Sequence, residues 1–107
     1  MQNKLPPTPQ KFREEFPEVW EAFARLGDEC HNAGTLDERT RRLVKLALAI
    51  GAGTEGGTHS AVRNALAAEI SPEEIKHVAV LSITTLGFPE AMRALTWIED
   101  NLSDADK

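Results

Sequence analysis

A chain of 107 residues with 41% hydrophobic and 27% charged side chains is long enough to bury one core and too apolar to stay disordered. Its net charge of −5 argues against general nucleic-acid binding, which needs a surplus of positive charge on one face. The single cysteine, Cys30, excludes an intramolecular disulfide and any Cys-x-x-Cys metal or redox site within one chain.

No window approaches the roughly 18 uninterrupted apolar residues of a membrane span, and the start Met1-Gln2-Asn3-Lys4-Leu5-Pro6-Pro7 has no apolar run that could serve as a signal peptide. The expectation is a cytoplasmic protein with no nucleic-acid or membrane partner. Pro6, Pro7 and Pro9 make residues 1–11 read as an extended arm. From there Phe12, Phe16, Val19, Phe23, Leu26 and Cys30 recur at steps of four and three, the spacing of one helical face. Pro17 fits the first turn of a helix, so this spacing predicts a helix over 17–33, with Gly34 as its left-handed stop and Cys30 facing the core.

Thr35 and Glu38 have the spacing of a capping box and predict a second helix to about Ala52. Its segment Leu43–Ile50 is apolar almost all round apart from Lys45, which marks a central helix. Lys45 either extends its ammonium to water or, if buried, loses its charge easily and becomes reactive. Arg39, Arg41 and Arg42 read as a solvated face paired with Asp37 and Glu38. Gly51 and Gly53 end this helix, and an alanine-rich third helix runs to about Ala68, starting from Thr54 or from Thr58. With Thr54 as cap, Glu55, His59 and Arg63 form one stripe at steps of four. With Thr58 as cap, Glu55 is a loop residue, since Gly56 and Gly57 each cost a helix about 1 kcal/mol relative to alanine.

Ser71-Pro72-Glu73-Glu74 combines an N-cap serine, proline at the first helical position and glutamate three residues after the cap. A fourth helix starts there. Ile75, Val78, Ala79, Ser82 and Leu86 share one face, and Val80, Leu81 and Ile83 point elsewhere, which suggests a subunit contact. Gly87-Phe88-Pro89 breaks the chain. Met92, Leu95, Ile98 and Leu102 define a last helix, and 103–107 read as a polar tail. The result is an all-α single domain of five helices and no strand.

The run Leu36-Asp37-Glu38-Arg39-Thr40-Arg41-Arg42 into the apolar segment, then His59-Ser60-Ala61-Val62-Arg63-Asn64-Ala65-Leu66, then Ser71-Pro72-Glu73-Glu74-Ile75, resembles the carboxymuconolactone decarboxylase and alkylhydroperoxidase D-like family. The stretch Thr84–Met92 extends the resemblance, which spans about 17–100. It implies an all-α fold that assembles as a homotrimer or hexamer. Redox members carry a Cys-x-x-Cys at the start of the third helix, a histidine four residues beyond it and a glutamate one helix earlier. Laid on this chain, these positions fall on Thr54 and Gly57, on Ala61, and near Arg42. Neither threonine nor glycine can act as a peroxide-reducing thiolate with a resolving partner, and the decarboxylases use the same histidine and glutamate positions.

The candidate site is therefore read from what remains. His59 and Glu55 are candidates for catalysis on an acidic or carbonyl ligand, and Lys45, Thr54 and Arg63 for holding it. No metal-ligand spacing recurs, and no cofactor is implied. Three readings stand beside one another: a small-molecule enzyme or binder at these residues, a scaffold without ligand, and residual peroxiredoxin-like activity through Cys30.

Overall fold

The computed structural model describes residues 5–105. Seven helices occupy them, and no strand is present among the described residues. In order they are α1 (Pro7–Glu15), α2 (Pro17–His31), α3 (Glu38–Ala52), α4 (Glu55–Ala67), α5 (Pro72–Leu81), the four-residue α6 (Ile83–Leu86) and α7 (Phe88–Ala105). The chain divides into two compact units that separate between Leu36 and Asp37.

The first unit holds α1 and α2. Residues 7–15 are helical, which corrects the expected extended arm from residue 7 onward, residues 1–4 of that arm lying outside the described residues: Pro7 stands at the start of α1, where a fixed φ and a missing N–H cost nothing. Proline content there signals a helix start. Pro17 opens α2 in the same way, and the chain turns between the two helices at Phe16. Phe12 and Phe16 stack with ring centroids 5.3 Å apart. Neither helix buries a residue. Cys30, expected in the core, is exposed, because the stripe that carries it lies open. The helix ends at Asn32 with φ −102°, so Gly34 is not the left-handed stop.

The second unit holds α3 to α7. Its first cap is Asp37, whose side chain accepts from the Thr40 amide at 2.8 Å, and not Thr35. The Thr40 backbone and side-chain hydrogen bonds, helped by Arg41 and Arg39, hold the Asp37 carboxyl below its ordinary value. Gly53 closes α3 in the left-handed region at φ 70°, a conformation that costs residues with a Cβ about 1–2 kcal/mol. Ser71 and Glu74 form the reciprocal capping box at the start of α5. The last helix runs to Ala105, so 103–105 are not a tail, and 106–107 of the expected tail lie outside the described residues. Asn101 and Leu102 hold its final turns against the other helices.

The core is built by all four long helices of this unit: Leu46 and Ile50 from α3, Val62 and Ala65 from α4, Ile75 and Ala79 from α5, and Ala94, Ile98 and Leu102 from α7. Each fully buried Val, Leu or Ile contributes roughly 1.5–3 kcal/mol relative to exposure. Ile70 enters the same core from the α4–α5 turn, where Glu69 takes the left-handed conformation at φ 65° and the Ile70 amide returns to the Ala65 carbonyl at 3.0 Å.

Candidate functional site

Helices α3 and α4 pack side by side, with Thr54 as the N-cap of α4. That settles the start of this helix and puts Glu55 in its first turn. Thr58 is buried within it and donates its hydroxyl to the Thr54 carbonyl at 2.7 Å. Thr54 donates its own hydroxyl to the Ala49 carbonyl at 3.3 Å. A Cβ at Gly57 would stand 2.6 Å from that Thr54 oxygen, so position 57 is glycine because the threonine fills its space. The two positions where the resemblance expects a reacting cysteine pair are neighbours in space, and neither carries sulfur.

Beside them lies a cavity of about 240 Å³, lined by Arg42 and Lys45 of α3 and by Gly57, Ser60, Ala61 and Asn64 of α4. Arg42 and Lys45 are one turn apart, and the four α4 residues follow the steps of a single helical face. Arg42 donates Nε–H to Glu38 Oε1 at 2.7 Å. Lys45 is exposed, and among the described residues it has no ion-pair partner. The cavity wall thus offers donors and positive charge, with no imidazole, thiol or carboxylate in its lining.

Glu55, His59 and Arg63 run along the opposite side of α4, roughly 150° around the helix at 100° per residue. There His59 meets α7. Asn101, only 8% exposed, donates from Nδ2 to the Trp97 carbonyl at 2.8 Å and to His59 Nδ1 at 2.6 Å. A carbonyl only accepts, so Trp97 fixes which end of the amide faces the ring. Nδ1 of His59 is then an acceptor, and Nε2–H donates to Glu55 Oε2 at 3.3 Å. Trp97 flanks the imidazole with ring centroids 6.4 Å apart. Both ring nitrogens are engaged, and the open end of this chain of hydrogen bonds is the Glu55 carboxylate.

The five predicted site residues therefore fall on two faces. Lys45 lines the α3–α4 cavity and Thr54 stands at its rim over Gly57, whereas Glu55 and His59 pair on the far side of α4. Arg63 shares their stripe without contributing to either hydrogen bond of His59. Sequence reasoning missed Arg42, Ser60 and Asn64 as one lining, and it missed Asn101 and Trp97 behind His59. Their signal was present as helical spacing: 57, 60, 61 and 64 on α4, and 97 and 101 on α7. What sequence lacked was the neighbour each face meets. The expected pairing of the arginine cluster holds in part: Arg41 and Arg42 reach Glu38, and Arg39 reaches Glu74 on α5. Among the described residues no three His, Cys, Asp or Glu side chains gather as a metal site, and no helix is long and apolar enough to cross a membrane.

No curated protein sequence matches the chain. Among solved structures it is similar to the apo form of a carboxymuconolactone decarboxylase family protein from Legionella pneumophila, at 25% identity and a TM-score of 0.75, covering 90% of this chain and 86% of that one. A model described as the carboxymuconolactone decarboxylase family matches residues 17–100, the span over which the sequence itself bears that resemblance. This chain belongs to the carboxymuconolactone decarboxylase family.

Proposed function

We propose that this family member is a cytoplasmic homo-oligomer, a trimer or hexamer, that works without thiol peroxidase chemistry and binds a small anion in the α3–α4 cavity. One observation carries the reading. Three of the six residues lining that cavity bear on that chemistry: Gly57 and Ala61 stand where the family's redox members are expected to carry the second cysteine and the histidine, and Arg42 stands near the expected glutamate. The groups that would transfer protons and electrons are replaced by a guanidinium, a hydrogen and a methyl. Lys45 adds a second cation one turn further along α3.

Such a wall suits a ligand that brings the negative charge. Lys45 supplies a mobile point charge and Arg42 a planar donor whose Nε is already oriented by Glu38. Ser60 and Asn64 add short-range polar groups. A cavity of about 240 Å³ lies below the size of most drug-like pockets, which favours inorganic phosphate or a short carboxylate or lactone acid. Any turnover of an acidic or carbonyl substrate would draw its negative-charge stabilisation from the same two cations.

A second reading places the chemistry on Glu55 and His59. It is favoured by the Asn101 clamp, which holds the imidazole in one tautomer as a positioned dyad requires. A thermal-shift series separates the two. The wild type, Lys45→Ala and His59→Ala are each melted with inorganic phosphate, short mono- and dicarboxylates, lactones and thiols. A ligand at 100 times its dissociation constant adds about 2.7 kcal/mol. The expected result is stabilisation by an anion that is lost in Lys45→Ala and kept in His59→Ala. The reverse pattern moves the site to the α7 side, no anion response in the wild type overturns the cavity reading, and no response to any of these compounds overturns both.

A further inference from the structure

One hydrogen bond between helices of the second unit depends on where a proton sits. Asn101 of α7 is 8% exposed and commits both hydrogens of Nδ2, one to the Trp97 carbonyl at 2.8 Å and one to His59 Nδ1 at 2.6 Å. The second bond exists while Nδ1 keeps its lone pair. A proton on Nδ1 sets two donors face to face, because an imidazolium donates at both nitrogens. Turning the amide over does not remove the conflict. Its oxygen would then stand against the Trp97 carbonyl, another acceptor, where a hydrogen now lies.

The charged ring has a partner on its own helix. Glu55 stands one turn before His59, with Oε2 3.3 Å from Nε2, and a full charge on the ring makes that long contact an ion pair. From α7 the ring meets Trp97 and Asn101, neither of which titrates, and Arg93 lies over the Trp97 ring while paired with Glu90. The charges of α3 and α5 are turned elsewhere. Arg39 pairs with Glu74, Arg41 and Arg42 with Glu38, and Lys76 with Glu99. Lys45 lines the cavity on the far side of α4, His77 lines the groove between α3, α5 and α6, and Glu73 is exposed.

We infer that His59 is a proton-operated fastener between α4 and α7. Neutral, it holds Asn101 and pins the end of α7; protonated, it lets Asn101 go and pairs with Glu55 alone. Ile98, just before Asn101 on α7, is fully buried in the core, so the release is confined to the helix end. The device goes beyond either reading of the function and does not depend on what fills the α3–α4 cavity.

The test is amide hydrogen exchange of the full chain between about pH 8 and 5, the range in which an ordinary imidazole changes charge, beside an NMR titration of the His59 ring. Protection is corrected for the intrinsic rate and set against that of α3. In the wild type the amides of residues 101–105 should lose about tenfold in protection as His59 gains its proton, the worth of about one hydrogen bond. In His59→Gln, which has no proton to gain, they should keep one value at every pH, and in Asn101→Ala they should be open throughout. A wild type that stays level while His59 titrates overturns the fastener and shows the amide turning over to follow the proton. A loss that persists in His59→Gln, or that follows a different midpoint from the ring, overturns it in favour of another group. Full protection in Asn101→Ala overturns it as well, since packing alone would then hold the helix end.

Discussion

Residues 5–36 and residues 37–105 carry apolar side chains at the same helical spacing, yet their fates differ. In α3 and α7 the periodic positions Leu46, Ile50, Ala94, Ile98 and Leu102 are buried. In α1 and α2 the equally regular Phe12, Phe16, Val19, Phe23 and Leu26 remain exposed. Periodicity reports that a helix has an apolar side. It does not report what covers that side. Four helices that bury each other's stripes make a core, whereas a pair with one stripe facing outward leaves an apolar surface.

The sharpest way to break this contrast is to truncate one residue from each region. Ile98 is fully buried, and Ile98→Ala should cost about 2–5 kcal/mol of unfolding free energy in urea, the lost transfer energy plus the cavity left behind. Phe23→Ala, at dilutions where assembly is absent, should change that free energy by no more than about 0.5 kcal/mol. Equal losses would show that the α2 stripe is covered within a single chain, and the distinction between the regions would fall.

Helix starts sharpen the same comparison at a smaller scale. α2 and α5 both begin with proline at the first helical position, but only α5 has side-chain hydrogen bonds at its cap. Ser71 accepts from the Glu74 amide at 3.2 Å, and Glu74 accepts from the Ser71 amide at 3.2 Å. Ser71→Ala should lower stability by about 1 kcal/mol. In hydrogen exchange, the first-turn amides of α5 should become less protected in that variant, while those of α2 stay as they were. Unchanged exchange at α5 would mean that packing alone sets its start.

Much of the fold was legible because local signals agreed with one another. The box at Ser71, the glycine closing α3 and the apolar run of α3 each pointed to the element that forms. The errors share a cause. Thr35 and Glu38 matched a cap by spacing, but Asp37 lies closer to the amide that needs an acceptor and wins it. Gly34 looked like a stop by type, although α2 ends two residues earlier at Asn32. Glu69, a residue that no propensity argument places in the left-handed region, closes α4 because Ile70 must enter the core. The site was legible only by face. Spacing grouped Glu55 with His59, whereas Gly57, Ser60, Ala61 and Asn64 on the other side of α4 carry chemistry only once Arg42 and Lys45 stand against them.

The smallest effect lies at the boundary between the regions, where Asp37 opens α3. Its carboxyl is held below the ordinary value of 3.8, first by the Thr40 amide, then by the Thr40 side chain, with Arg41 and Arg39 adding a lesser pull. A depressed carboxylate stabilises the folded state at any pH above its unfolded value, and this contribution disappears as pH falls through the lower folded value. Stability from Asp37 should therefore be level from pH 7 to about 5 and decline below about 4. Asp37→Asn keeps a cap oxygen and removes the titration, so the difference between wild type and variant in melting temperature should be flat near neutrality and shrink in acid. A difference that grows in acid would reverse the sign and mean that the cap binds its proton more tightly when folded. The α2 start has no side-chain cap, so acid should loosen the first turn of α3 and leave that of α2 unchanged by this route.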